Sequence, residues 1–213
     1  MTNLGTNPGT RPEREPGRRE RRRTETRERI FRAAMQLFAR HGFSETTTEE
    51  ITEAADVGQG TFFNYFPTKP HVLTVLTEIQ LAKIGVAKSE AQSGHLPIRD
   101  VFHRLTHSII EEIGRSPELT RALLTAFLSN EEVRALIEKT MERGREEIAE
   151  ILTLGQRRGE VRRDLKTDHM ALTFQRDIIG TMLLWAIGGK TEFRDWLEKA
   201  FRDFWEIAKF RKG

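Results

Sequence analysis

The 213-residue chain contains no cysteine. Disulfides, thiolate nucleophiles and cysteine metal sites are excluded, and a reducing cytoplasm is the compartment that suits this composition. Long apolar runs are also missing. None reaches the ~18 residues that a membrane-spanning helix requires, and the longest, 178–189, suits a buried helix. The start of the chain is polar and arginine-rich without the apolar stretch of a secretory signal, so no export is expected. Alternating β-branched patterns are scarce while helical spacing is nearly continuous, which predicts an all-α fold. G-x-S-x-G, P-loop, G-x-G-x-x-G and H-E-x-x-H motifs are all absent, and no enzymatic activity is expected. The acidic pairs Glu111–Glu112, Glu131–Glu132 and Glu146–Glu147 read as solvated helix faces.

The most specific pattern lies in residues 42–69. Thr47 and Glu50 are spaced as a capping box. Ile51, Ala54 and Ala55 follow as the apolar face of a short helix, and Asp56-Val57-Gly58 closes it, with Gly58 supplying conformational freedom. A second helix is predicted from Gln59 to about Phe66, with Phe62 and Phe66 on one face and Gln59, Thr61 and Asn64 pointing elsewhere. Pro67 ends it. Helix, tight turn, helix is the helix-turn-helix plan. A helix over 26–40 precedes it, burying Ile30, Ala33, Ala34, Leu37 and Phe38 and stopping at Gly42, with Phe43 folding back. A long helix over 71–91 follows it, its apolar positions being Val72, Val75, Leu76, Ile79 and Ala82.

Residues 26–76 resemble the N-terminal domain of the TetR family of bacterial transcriptional regulators. Ile30, Ala33, Ala34, Leu37, Phe38, Gly42, Phe43, Thr47, Ile51, Ala54, Val57, Gly60, Thr61, Phe66 and Lys69 carry the likeness, in order and without gaps. Phe63 departs from it, standing where the family usually has tyrosine, and so lacks one hydroxyl donor. The resemblance implies a sequence-specific transcriptional regulator, a repressor released from a pseudo-palindromic operator by a small-molecule effector. It implies phosphate contacts from Thr47 and Thr48, and major-groove contacts from Gln59, Gly60 and Thr61. Phe63, Asn64 and Tyr65 would meet backbone or neighbouring bases, and Lys69 would neutralise a phosphate. A glutamine can pair with adenine through two hydrogen bonds, and a threonine methyl can touch a thymine methyl.

Charge sets a second reading beside this one. The chain carries a formal net charge of +3. Residues 1–23 hold seven arginines against three glutamates, whereas 24–71 hold five basic and seven acidic residues. A positive face must therefore come from the placement of Arg27, Arg29 and Lys69, from helix N-termini and from the arginine-rich arm. The arm, 1–23, has three prolines and three glycines and is expected to be disordered and to grip phosphates or the minor groove. A helical adaptor without specific DNA binding is the alternative. The division expected is the arm 1–23, a three-helix DNA-binding domain over 24–70, and a larger helical effector-binding and dimerisation domain over 71–213.

In that second domain helices are predicted over 98–113, from Ser116-Pro117, from Asn130 to about Gln156, from Thr167 or Asp168 to Ile187, and over 192–210. The resemblance implies an effector cavity among them, with Phe102, His103, His107, Phe127, Met141, Phe174, Gln175 and Arg176 as candidate lining. His103 and His107 stand at i, i+4, a spacing that fits a metal, but no H-E-x-x-H or cysteine completes a site. They read as surface or pocket histidines, and neither metal nor cofactor is expected. Met182, Trp185, Trp196, Phe204 and Trp205 exceed what one stripe buries. Part of this set reads as core and part as the interface of the homodimer that the resemblance implies.

Overall fold

The computed structural model describes residues 17–109, 111, 114, 116–188 and 192–210. Among them are nine α-helices: α1 (Arg18–His41), α2 (Thr48–Ala54), α3 (Gln59–Tyr65), α4 (Thr74–Ser93), α5 (Ile98–Ile109), α6 (Pro117–Ser129), α7 (Glu131–Arg158), α8 (Thr167–Gly188) and α9 (Phe193–Ala208). The expected all-α fold is what forms, with the N-terminal helix-turn-helix unit followed by a larger helical part. None of the described helices is long and apolar enough to cross a membrane.

The first helix is longer than its apolar stripe predicts. It begins at Arg18, so the last six residues of the expected disordered arm are helical, while residues 1–16 lie outside those described. Gly17 is followed by no proline or glycine until Gly42, and arginine and glutamate are good helix formers, so nothing stops the helix from extending. At its other end Gly42 has φ +85°, its N–H bonds to the Phe38 carbonyl at 2.9 Å, and the Phe43 ring folds back to 5.0 Å from Phe38.

The left-handed turn between α2 and α3 belongs to Asp56, at φ +49°, rather than to Gly58, whose φ is −73°. Aspartate tolerates this region better than most residues because its short side chain can bond locally. The helix expected over 71–91 splits into a 3-10 turn, Pro70–Leu73, and α4. Elsewhere the local signals act as read. Ser116 Oγ accepts from Leu119 N–H with Pro117 in the first turn, and Asn130 Oδ1 accepts from Val133 N–H. α5 is described as far as Ile109, residues 110, 112 and 113 of the expected helix lying outside the described residues, and an added Cβ at Gly114 would come within 2.2 Å of the Phe193 ring.

One hydrophobic core runs from Ile30 to Ala208, so the boundary expected at residue 70 is no break in packing. α4 is the shared element. Its start packs with the 3-10 turn and α1 side of the N-terminal unit, and its length lies against α5 and α7.

Candidate nucleic-acid interface and effector cavity

The capping box forms as predicted. Glu50 N–H donates to Thr47 Oγ1 at 3.1 Å, and Thr47 N–H donates to Glu50 Oε2 at 2.8 Å. Hydrogen bonds from the Thr47 backbone and then its hydroxyl hold the Glu50 carboxyl below its ordinary value. The box fixes where α2 starts, and Phe62, Phe66 and Ile51 are buried beneath the two short helices. The opposite face is left outward. Gln59, Gly60, Phe63 and Asn64 are exposed, and Thr61 and Tyr65 are half-buried. Thr47 is exposed and Thr48 half-buried at the start of α2. Gln59 Nε2 donates to Glu49 Oε1 at 3.0 Å, a bond that a base would have to replace. A Cβ on Gly60 would meet nothing within 4 Å, so the chain itself does not demand a glycine there.

Two of the expected cations are engaged within the chain. Lys69 Nζ donates to the carbonyls of Phe43, Ser44 and Thr46 at 2.8, 3.2 and 2.8 Å and sits 4.6 Å from the centre of the Phe43 ring. Burial lowers its pKa against the pull of Glu45 and Glu50. With three protons aimed at three carbonyls, Lys69 clasps the α1–α2 loop and keeps none for a phosphate. Arg27 makes a bidentate bond to Glu78 on α4, 2.7 Å at each oxygen. Positive charge comes instead from the start of α1. Arg19, Arg22 and Arg23 line a shallow cleft whose other wall is Thr61, Asn64 and Tyr65 of α3. Composition had placed these arginines in a loose arm. The uninterrupted stretch after Gly17 was the signal that they sit on a helix.

A cavity of about 170 Å³ lies between α4, α6, α7 and α8. Of the expected lining residues, Phe127, Met141, Phe174 and Gln175 reach it, joined by Leu76, Thr77, Gln80, Leu81 and Ile84 of α4. Phe102, His103, His107 and Arg176 do not. Phe102 is buried among Phe174, Phe204 and Trp205, and Arg176 is exposed. The two histidines lie against α9, where Nε2 of His103 and of His107 stand 2.9 and 3.0 Å from Glu198 Oε2. Burial alone would raise the Glu198 pKa; the bonds to both histidines outweigh it and bring it below its ordinary value.

Most polar groups on the cavity wall are satisfied. Thr77 and Thr140 donate to backbone carbonyls of their own helices, and Gln175 donates to Met141 and accepts from Arg145. Gln80 differs: both amide atoms are buried and have no hydrogen-bond partner among the described residues. Sequence reading passed over it, though Leu76, Gln80 and Ile84 recur at i, i+4 and the amide interrupts an apolar stripe.

Of the residues expected as part core and part dimer interface, four are core. Met182, Trp185, Phe204 and Trp205 are buried within the chain, with Trp185 stacked on Phe193 at 4.6 Å, and Trp196 is half-buried against the core. On and after the last two helices the outward large apolar residues among those described are Leu183, Leu184 and Ile187 of α8, Ile207 of α9 and Phe210 beyond it; Phe63, Val86 and Leu128 are exposed elsewhere.

Comparison with known proteins agrees with this geometry. Residues 30–74 match the family described as bacterial regulatory proteins, tetR family. The repressor KstR of Rhodococcus jostii (strain RHA1) is 29% identical over 104 residues, 49% of this chain and 48% of its own length. The chain thus spans about half the length of the curated relatives it first matches. Bacillus subtilis FadR, solved with stearoyl-CoA, shares the fold at 18% identity and a TM-score of 0.71, over 84% of this chain and 98% of its own. Thermus thermophilus FadR, a TetR family transcriptional repressor solved with lauroyl-CoA, is 32% identical, covering 88% of this chain and 97% of its own, with a TM-score of 0.59. An alignment of that identity across nearly the whole of a family member, on top of the matched helix-turn-helix unit, places the chain in the TetR family of bacterial regulatory proteins.

Proposed function

We propose that the protein is a transcriptional repressor that acts in the cytoplasm as a homodimer on a pseudo-palindromic operator and lets go when an effector fills the cavity. The observation that carries this reading is the outward face of α3, polar and unoccupied by core duty, set on a capped helix-turn-helix beside Arg19, Arg22 and Arg23. Gln59, Gly60 and Thr61 would read bases, Thr47, Thr48 and the arginines would hold phosphates, and Phe63, Asn64 and Tyr65 would contact backbone or neighbouring bases.

The effector reading rests on the cavity walls, mostly apolar with one amide unsatisfied among their few polar groups, and on similarity to a repressor solved with lauroyl-CoA. An acyl chain would occupy the apolar space, and its carbonyl would meet Gln80. Leu76 and Thr77 line the cavity next to Glu78, which holds Arg27 of α1. Glu132 of α7 accepts from Thr68 at 3.0 Å and pairs with His71 at 2.9 Å, so a second cavity helix also grips the N-terminal unit. A ligand that moved α4 against α7 would shift the reading helix through both links.

The test is fluorescence anisotropy with the duplex flanking the gene, titrated with protein and then with lauroyl-CoA. Salt-dependent binding at low ionic strength, lost on adding lauroyl-CoA, is expected. Gln59→Ala is expected to cost about 1–3 kcal/mol and relax one base preference, whereas Arg22→Ala weakens all sequences alike and lowers the salt slope. No binding at low salt would favour a helical adaptor; binding indifferent to lauroyl-CoA would remove the acyl reading and leave the repressor.

A further inference from the structure

The two histidines on α5 and the glutamate on α9 do not serve the cavity or the DNA face. They are the only three metal-ligating side chains of this kind found together among the described residues, with ligand atoms all within 4.8 Å of one another. Two imidazoles one turn apart on a helix point their Nε2 atoms at the same carboxylate oxygen. The Phe201 ring lies edge-on against His103, 5.0 Å between centres, and limits its rotation. All three side chains keep partial access to solvent, between 22% and 39% exposed, so an ion and a water can reach them.

We propose that His103, His107 and Glu198 form a binding site for a divalent transition metal of the zinc class, which clips α9 to α5. Two neutral imidazoles and one carboxylate make three protein ligands, and water completes a tetrahedron. Bonds of about 2.0–2.2 Å put tetrahedral ligand atoms roughly 3.3 Å apart. The carboxylate oxygen now stands 2.9 and 3.0 Å from the two nitrogens, and all three ligand atoms lie within 4.8 Å of one another, so side-chain rotation alone has to bring them to that spacing. A half-exposed glutamate rotates in this way. Each imidazole then presents its Nε2 lone pair and carries its proton on Nδ1. The donor set selects against magnesium and calcium, which prefer all-oxygen ligands. The site ties residues 91 and 95 positions apart in sequence, so occupancy stabilises the packing of the final helix rather than one local turn.

The experiment uses untagged, chelator-stripped full-length protein titrated with zinc chloride by calorimetry, with thermal melting in parallel. One zinc per chain is expected, and Tm is expected to rise by roughly 5–10 °C at hundredfold excess over Kd. Both effects should vanish in the double variant His103→Gln, His107→Gln. Glu198→Gln, which keeps both imidazoles, should bind at least about tenfold more weakly and serves if the double variant does not fold. Cobalt(II) should give the strong visible bands of a four-coordinate ion in the native protein. Absence of stoichiometric zinc, or an equal response in Glu198→Gln and in the native chain, overturns the site.

Discussion

At the scale of single residues, the chain separates what the fold needs from what a duplex would need. Gly60 sits inside α3, exposed, with open space where a Cβ would point. Alanine there should raise stability by up to ~1 kcal/mol, because glycine is the costlier residue in a helix. The same substitution should weaken duplex binding if Gly60 meets the bases as proposed, since the added methyl would then stand between backbone and base edges. Chemical denaturation beside anisotropy checks both signs; a variant that binds as tightly as the native protein would remove Gly60 from the interface. Lys69 is the converse case. Lys69→Met keeps the stem over the Phe43 ring but leaves three carbonyls without their donor. A loss of about 1–3 kcal/mol is expected, read as a lower urea midpoint at unchanged m. A lysine whose only task was phosphate neutralisation would leave the midpoint where it is.

At the scale of helices, the parts legible in the sequence are those made by neighbours in the chain. The Thr47–Glu50 box, the Ser116 and Asn130 caps and the Gly42 stop each involve residues a few positions apart, and each forms as its spacing predicts. Tertiary neighbours are where spacing ran out. Periodicity shows that a side chain wants burial but not what buries it, so Trp185 and Phe204 could be read as interface when Phe193, Phe102 and Phe174 already cover them. The second half of α8 is apolar nearly all round, so spacing alone does not separate its cavity side from its outward side. Cavity lining was half legible for the same reason: Phe127 and Phe174 face it while Phe102, on an equally apolar stripe, faces the core. The Arg27–Glu78 pair, 51 residues apart, was invisible to local patterns. Its two side chains are 33% and 56% exposed, so its worth to stability is about 0.2–1 kcal/mol. Its value as a link is testable separately. Arg27→Ala and Glu78→Ala should each shrink the effector's effect on duplex affinity, and the double variant should shrink it no further. Additive losses would show two independent contributions instead of one shared strut.

At the scale of the whole molecule, one chain carries one reading helix, and a pseudo-palindrome asks for two. The outward apolar residues of α8 would supply a surface for a second copy. Leu183, Leu184 and Ile187 lie about one turn apart and are 43, 58 and 73% exposed, and Ile207 near the end of α9 and Phe210 beyond it add 42 and 50%. Gly180, one turn earlier on α8, has open space beyond its Cα and would let a partner helix come close. A group of large aliphatic side chains this exposed is the kind of patch that marks an interaction site. Charge placed at its centre should therefore undo assembly while leaving the fold intact, because Leu184 and Ile187 are more than half exposed within their own chain. Leu184→Glu with Ile187→Glu is expected to turn a dimer into a monomer at micromolar concentration by light scattering. The helical circular dichroism signal should stay unchanged. Duplex affinity should fall by on the order of a hundredfold or more, since the second reading head no longer binds at the effective concentration set by the first. The aromatic residues give the control: Trp185→Ala opens a cavity against Phe193 and should lower stability by about 3–5 kcal/mol through the core. If the double glutamate variant remained dimeric, the mate would have to sit on another face, and the spacing of the two reading helices would change with it.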